Sequence, residues 1–134
     1  MRRPRKGTAV DHEIVAAEGG DVGALVRLSS ELFREDAGIR DPYTDVGWPG
    51  KHGRDHFLSL ISRSDALCLL AKFGRTPVGY LAGYVGGPTT IRPVRVAELQ
   101  SVYVRARDRD RGVGSALVAE FLSWAWTGRP SASR

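Results

Sequence analysis

Cysteine, methionine and histidine are scarce in this chain of 134 residues, which contains one, one and three of them. One thiol cannot form an internal disulfide, and Cys68 lies in an apolar run at 66–70, which indicates a buried small hydrophobe rather than a nucleophile. His52 and His56 are spaced i, i+4, but the sequence shows no third ligand beside them, so we predict no metal site. A reducing cytoplasm is the expected location.

Long apolar runs are also lacking. No stretch of 18 apolar residues occurs, and a membrane-spanning helix needs about that length. The basic N-terminus is not followed by an apolar segment, so it does not have the pattern of a secretory signal. The sequence therefore predicts no membrane partner.

The net charge of +5 comes from the two ends of the chain. Residues 2–6 carry four positive charges and Arg129 and Arg134 carry two more, which leaves 14 basic and 15 acidic residues between 7 and 128. Nucleic-acid binding needs a basic face on the domain body, so none is predicted, and association through the basic ends is the alternative from another functional class. We predict a disordered basic leader at 1–7, a single domain at 8–126 and a disordered polar tail at 127–134.

Glycine and proline divide the domain into seven elements joined by turns and one ordered loop at 38–50. Apolar spacing predicts a strand at 12–17, helices at about 21–36 (with Asp21 as N-cap and Gly38 as C-cap) and 52–63, strands at 66–73, 78–85 and 94–104, and a helix from 112 to about 126. The last helix is expected to turn inward Val113, Leu117, Val118, Phe121, Leu122 and Ala125. The order β-α-α-β-β-β-α predicts an α/β domain with a mixed, mostly antiparallel sheet flanked by helices.

The start of the last helix has the composition of an anion site. A helix start presents backbone N–H groups without helical acceptors, together with a partial positive charge. Gly112 and Gly114 carry no Cβ that would keep a phosphate away from these amides, and Ser115 keeps the next turn slim. Arg109 and Arg111 flank the turn and attract a polyanion such as a pyrophosphate. An ordinary left-handed turn before a surface helix is the alternative that two glycines would also serve.

The pattern Arg109-x-x-Gly112-x-Gly114 resembles the coenzyme A pyrophosphate motif of the GCN5-related N-acetyltransferase (GNAT) superfamily. The preceding Val102-Tyr103-Val104 is similar to the strand that pairs with the pantetheine arm in that family. The resemblance is closest to small bacterial amine acetyltransferases related to ribosomal-protein and aminoglycoside acetylating enzymes. It implies direct acetyl transfer from acetyl-coenzyme A to a primary amine of a small molecule or protein, without a metal. The cosubstrate residues that it implies are Val102, Tyr103, Val104, Arg109, Asp110, Arg111, Gly112, Val113, Gly114 and Ser115.

Glu98 is the candidate general base. It occupies the strand position that resembles the family's catalytic carboxylate, and its alternation with Gln100 places both side chains on one face. A solvated carboxylate, or one paired with Arg95, is the equally weighted alternative. The resemblance also makes the Val104 N–H the group that polarises the acetyl carbonyl, whereas the Tyr103 side chain is expected to serve packing.

Glu31 and Glu35 are candidates for acceptor binding. They are spaced i, i+4 and so share a helix face, on which two carboxylates would attract a cationic amine. A solvated helix face is the simpler alternative.

The C-terminus departs from the family pattern. The superfamily continues beyond the pyrophosphate helix with further strands, which complete the cleft and often supply a tyrosine that protonates the thiolate. Here the last nine residues are polar and without apolar period, so we expect a C-terminally truncated relative. Loss of those strands would leave the edge of strand 94–104 open and favour pairing with a second copy, a homodimer. A non-catalytic, coenzyme A-binding remnant is therefore the alternative to an active enzyme.

Overall fold

The computed structural model describes residues 12–36 and 43–127. The predicted leader, the Gly38 cap and residues 128–134 of the predicted tail lie outside these residues. The main elements are β1 (His12–Ala16), α1 (Val22–Asp36), α2 (Arg54–Ser62), β2 (Ala66–Phe73), β3 (Thr76–Gly86), β4 (Val96–Val104) and α3 (Val113–Thr127). Their order confirms the predicted α/β succession.

The four strands form one sheet in the order β1-β2-β3-β4. All three pairings among the described residues are antiparallel. The β2–β3 hairpin turns at Gly74, where φ is +62°, a conformation that suits a residue without a Cβ. β3 is longer than predicted because pairing resumes at Thr76 instead of Val78.

Helices cover both faces of this sheet. On one face, α1 and α2 form a core that includes Leu25, Phe57 and Tyr80. On the other face, α3 packs over a second core that includes Leu81 and Phe121. No helix within 12–36 and 43–127 is long and apolar enough to cross a bilayer.

Cys68 lies in the core beneath α1 and α2, where it is 2% exposed. Burial raises the pKa of its thiol to about 12. The thiol is therefore protonated at neutral pH, which confirms the structural role predicted for it.

Three helix details differ from the sequence predictions. Asp21 does not cap α1; it closes a short 3₁₀ turn (Gly19–Asp21), in which its carboxylate accepts the Glu18 N–H at 2.9 Å. A wide helical turn (Pro49–Gly53) precedes α2, so helical structure begins before residue 52. Leu122 is 54% exposed and Trp124 is buried instead, because the helical period that runs through Phe121 reaches Trp124 next.

The ladder between β3 and β4 contains a β-bulge. Ala82 pairs with Ser101, but the next residue, Gly83, pairs with Leu99, so Gln100 is an extra residue in β4. A bulge bends the strand and increases its twist locally. Side chains on the two sides of the bulge therefore do not follow one strict alternation.

Candidate active site

Gly112 directly precedes α3 and has no side chain that would cover the backbone N–H groups of the first helical turn. Its φ is +81°, and a Cβ added there would meet open space. Its carbonyl accepts the Ala116 N–H at 3.0 Å, so it acts as the cap residue. Asp110 also has a positive φ, of 63°, and alternating backbone handedness of this kind makes concave arrays of N–H groups that bind anions. The exposed helix start with a glycine of positive φ, predicted from the sequence, is present at the surface.

The outer edge of β4 presents peptide groups next to this helix start. The Arg105 N–H donates to the Val78 carbonyl at 2.9 Å, and residues on antiparallel strands alternate between bonded and non-bonded pairs. The backbone N–H and C=O groups of Tyr103 are thus hydrogen-bonded to β3. The N–H and C=O groups of Val102 and Val104 point away from β3, toward the outer edge of the sheet. Among the described residues, β4 pairs with a strand on one side only.

The predicted strand and the predicted loop lie together in space. The Val104 and Val102 side chains pack on the α3 side of the sheet, and a Cβ at Gly114 would be 3.8 Å from Val104 Cγ2. The turn between β4 and α3 leads the chain back to the sheet, so that the N-terminal end of α3 lies beside the C-terminal end of β4. Tyr103 alternates away and is buried on the α1 side, as packing would require.

Arg109 turns away from the helix start and joins the carboxylates of α1. Its guanidinium bonds Glu35 at 2.5 Å, donates from Nε to the Val104 carbonyl at 2.7 Å, and lies 5.5 Å from the ring centre of Tyr103. The Tyr103 hydroxyl donates to Glu35 at 2.5 Å and to Glu31 at 3.3 Å. The predicted acceptor carboxylates and a predicted phosphate-binding arginine are therefore brought into one cluster. Arg111 is exposed, and it remains the flanking cation nearest the bare turn in sequence.

Mutual contacts shift the pKa values in this cluster. The hydrogen bond from Tyr103, followed by the bond from Arg109, lowers the pKa of Glu35. Burial, followed by the hydrogen bond to Glu35, raises the pKa of Tyr103. Tyr103 thus remains a hydroxyl donor throughout the neutral range.

A buried ionic contact fixes the turn between β4 and α3. Asp108 is 4% exposed; its carboxylate accepts from Arg105 Nε at 2.5 Å and lies 3.2 Å from His12 Nε2 on β1. Burial acts to raise the pKa of Asp108, but the hydrogen bonds from Arg105 and His12 outweigh it and leave the pKa lowered. The turn that carries Arg109 to Gly112 is therefore anchored to the opposite edge of the sheet.

Glu98 lies exposed on β4, opposite Tyr84 of β3. The Tyr84 hydroxyl donates to a Glu98 carboxylate oxygen, and this hydrogen bond is the main cause of a raised Tyr84 pKa. Arg63 lies 5.5 Å from the centre of the Tyr84 ring. Glu98 is therefore on the α1 and α2 side of the sheet, held by a neutral donor.

A cavity of about 430 Å³ opens between α1, α2 and the sheet. The sequence analysis did not identify it, and Glu31, Glu35 and Glu98 are not among its lining residues. One signal was available, namely an aromatic residue, Trp48, in a loop rich in glycine and proline. The lining consists of Ser29, Phe33, Asp45, Trp48, His56, Phe57, Tyr80, Gln100 and Ser101.

Aromatic rings form most of the cavity wall. Phe33 and Trp48 stack with centroids 5.8 Å apart and planes at 11°, and the His56 ring meets Trp48 edge-on at 5.2 Å. His56 Nε2 lies 2.8 Å from Gln100 Oε1, which ties α2 to the bulge in β4. His56, predicted to be a surface residue, thus has a defined place in the wall.

Comparison with known proteins identifies the family. Residues 24–128 match the family described as the acetyltransferase (GNAT) family. The chain belongs to this family. No curated protein matches the sequence.

Solved GNAT-like structures share the fold at low sequence identity. An N-acetyltransferase, PaiA, from Thermoplasma acidophilum, in complex with coenzyme A, is 21% identical with a TM-score of 0.71, over 87% of this chain and 72% of that one. A predicted acetyltransferase from Clostridium acetobutylicum, solved with acetyl-CoA, is 16% identical with a TM-score of 0.70, over 87% and 74%. A ribosomal-protein-alanine N-acetyltransferase from Brucella melitensis is 18% identical with a TM-score of 0.62, over 87% and 72%.

Within 12–36 and 43–127, no three side chains of His, Cys, Asp or Glu are grouped as a metal ion would need. His52 and His56 instead both contact the Trp48 ring, at centroid distances of 6.2 and 5.2 Å. Their i, i+4 spacing therefore serves aromatic packing.

Proposed function

We propose that the protein is an acetyl-coenzyme A-dependent N-acetyltransferase that transfers the acetyl group directly to a primary amine of a small molecule or protein. One observation carries the proposal: the bare amino end of α3 at Gly112 stands beside the outward-facing peptide groups of Val102 and Val104. Two structures that share the fold, solved with coenzyme A or acetyl-CoA, support it.

The residues present fit such a cosubstrate. The first amides of α3, from Val113 to Ser115, would hold the pyrophosphate, and exposed Arg111 would add positive charge. The outward peptide groups of Val102 would pair with the amide-containing arm, while the Val104 carbonyl already accepts from Arg109 Nε at 2.7 Å. When bound, acetyl-coenzyme A supplies the activated acetyl group.

Proton handling falls to residues on the other face of β4. An amine must lose its proton before it can attack a carbonyl, and Glu98 is an exposed carboxylate that can accept this proton through a chain of water molecules along β4. The Tyr84 hydroxyl holds Glu98 in place through its hydrogen bond. The Val104 N–H, directed outward from the sheet, is suited to stabilise negative charge on the acetyl oxygen.

Binding of acetyl-coenzyme A is the decisive test. At about 100 times its dissociation constant, the cosubstrate should stabilise the fold by roughly 2.7 kcal/mol, measured as a rise in melting temperature. Gly112→Ala should abolish this rise, because the new Cβ stands at the mouth of the amide array. Gly74→Ala is the matched control: Gly74 also has a positive φ, of +62°, and open space around it, but it lies in the β2–β3 turn.

The Gly74→Ala control separates the effect of backbone strain from the loss of acetyl-coenzyme A binding. Both substitutions impose similar backbone strain, so both should lower the melting temperature of the free protein. Only Gly112→Ala should remove the rise caused by acetyl-coenzyme A. An equal rise in the two variants would refute the site.

Turnover distinguishes the enzyme from its alternative, a coenzyme A-binding remnant. Release of free thiol after addition of a primary amine is expected for the enzyme. Stabilisation by acetyl-coenzyme A without thiol release from any amine would favour the remnant.

Nucleic-acid association through the basic ends predicts a different pattern. Binding to any duplex would be salt-sensitive and would vanish when residues 1–6 are deleted, while Gly112→Ala would leave it unchanged. We propose instead that the protein acts in the cytoplasm without a nucleic-acid or membrane partner.

A further inference from the structure

We propose that the cavity between α1, α2 and the sheet is the acceptor site, and that it takes a monoamine carried on a flat aromatic body. This inference rests on the proposed acetyltransferase function and specifies its acceptor class. It is carried by the composition of the cavity wall and by its position along β4.

The wall is built for a flat apolar group. Phe33 and Trp48 form a stacked pair, with His56 edge-on to the indole, while Phe57 and Tyr80, each 2% exposed or less, close the inner end. Aromatic rings prefer stacked or edge-on contact with other rings, which adds to the affinity gained from buried area. A volume of about 430 Å³ is within the range of small-ligand pockets.

The charge of the wall disfavours a polycation. Among the lining residues within 12–36 and 43–127, Asp45 supplies the one carboxylate; its side chain is 56% exposed, which places it at the mouth, and it is already paired with Lys51. Its oxygens lie 2.9 Å from the Gly47 amide and 3.5 Å from Lys51 Nζ. The indole of Trp48 can in addition attract a cation over its face. An amine with several charges would leave most of them opposite rings and hydroxyls.

The cavity also reaches the strand assigned to the cosubstrate. The bulge places both Gln100 and Ser101 on the α1 and α2 side, where both line the cavity. Val102, whose peptide group faces the open edge, follows directly. An amine bound among the rings is thus next to the segment along which acetyl transfer is proposed.

Direct binding tests the inference independently of turnover. Calorimetric titration of the full chain should show that 2-phenylethylamine binds about tenfold more tightly than n-octylamine or spermidine. The two C8 amines have the same carbon count and charge, and the octyl chain is the more flexible. Equal or tighter binding of n-octylamine or spermidine, or no binding of 2-phenylethylamine, would overturn the proposal.

Variants locate the bound ring. Trp48→Ala should weaken 2-phenylethylamine about tenfold or more, and Trp48→Phe, which retains a stacking ring, should weaken it less. Trp126→Ala is the control, because Trp126 is 90% exposed at the end of α3. Melting curves of the free proteins show whether each Trp48 variant folds. If Trp48→Ala does not fold, the affinity of Trp48→Phe for 2-phenylethylamine tests the proposal alone. Wild-type affinity in every Trp48 variant that folds would overturn the proposal.

Failure of the acceptor proposal is separable from failure of the enzyme proposal. Selective binding of 2-phenylethylamine without stabilisation by acetyl-coenzyme A would contradict the enzyme and uphold the ligand class of the cavity. Thiol release with spermidine or n-octylamine in preference to 2-phenylethylamine would uphold the enzyme and contradict the acceptor class.

Discussion

At the scale of single residues, the carboxylates near β4 have different surroundings. Glu98 is exposed and bonded by the neutral Tyr84 hydroxyl, whereas Glu35 is bonded by both Tyr103 and the Arg109 cation. A carboxylate held by a cation gives up its basicity, because the cation stabilises the charged form. Glu35 is therefore a structural anchor, and Glu98 remains the proposed proton acceptor.

Glu98→Gln tests the first role. Glutamine can still accept the Tyr84 hydrogen bond but cannot take up a proton at neutral pH, so kcat should fall by about 10²–10⁴-fold. Thiol release with an accepted amine measures the loss, and the rise in melting temperature with acetyl-coenzyme A should be unchanged. Tyr84→Phe, which removes the donor alone, should have a much smaller effect. A kcat within twofold of wild type would support the solvated-carboxylate alternative.

Glu35→Gln tests the second role through pH. The folded-state pKa of Glu35 is lowered, so its contribution to stability is present above the unfolded-state pKa and is lost as pH falls through the folded value. Because the side chain is 41% exposed, we expect a loss of only about 0.5 kcal/mol at pH 7. Urea unfolding at pH 7 and at pH 3 should show this difference and its decrease at the lower pH.

Glu31→Gln provides the comparison for that experiment. Glu31 lies one turn earlier on α1 and accepts from the same Tyr103 hydroxyl, at the longer distance of 3.3 Å. Its substitution should cost less at pH 7 than Glu35→Gln. A Glu35→Gln difference that stays constant between pH 7 and pH 3 would exclude the ion pair as its source.

At the scale of elements, the turn from β4 to α3 depends on Asp108. Asp108→Asn should lower the free energy of unfolding by about 1–3 kcal/mol, because Arg105 and His12 would face a neutral and partly mismatched group in a buried place. Urea unfolding at pH 7 measures the change. The variant should also bind acetyl-coenzyme A more weakly, since the turn presents Gly112.

Asp65→Asn is the matched control for this prediction. Asp65 also pairs with an arginine close in sequence, Arg63 at 2.8 Å, but both side chains are exposed. Its loss should destabilise the fold much less than the loss of the Asp108 carboxylate, because water screens an exposed ion pair. Similar costs for the two variants would mean that the Asp108 contact contributes no more than a surface pair.

Most elements, and the glycine turn before α3, could be predicted from the sequence because their signals are local. Apolar period and glycine placement identify α3 and its bare start at Gly112. The direction of Arg109 could not be predicted, since its partner Glu35 is 74 positions away. The cavity was missed for the same reason: Ser29 and Ser101 meet only once the sheet and α1 are packed.

At the scale of the whole molecule, exposed apolar side chains lie on and near the first half of β4, residues 96–99. Leu99 is 45% exposed on β4, and Leu122 and Trp126, 54% and 90% exposed, lie on the same α3 side. An open strand edge beside apolar surface favours pairing with another chain. We therefore expect concentration-dependent self-association, the homodimer predicted from the sequence.

Leu99→Lys should weaken this association about tenfold or more, because it places a charge on the apolar side of the edge. Sedimentation velocity over a range of protein concentrations measures the effect. Leu58→Lys is the control, because Leu58 is similarly exposed, at 37%, but lies on α2. Equal association of the two variants would locate the contact elsewhere.

The extra residue at Gln100 has a consequence for how these two uses of β4 coexist. A bulge changes the direction of its strand. A strand of a second chain that pairs with residues 96–99 would therefore diverge from residues 101–104 and leave a gap beside them. We therefore expect the two halves of the edge to bind their partners independently. If association at 96–99 leaves the affinity for acetyl-coenzyme A unchanged, then by thermodynamic reciprocity the coenzyme should leave the monomer–dimer equilibrium unchanged.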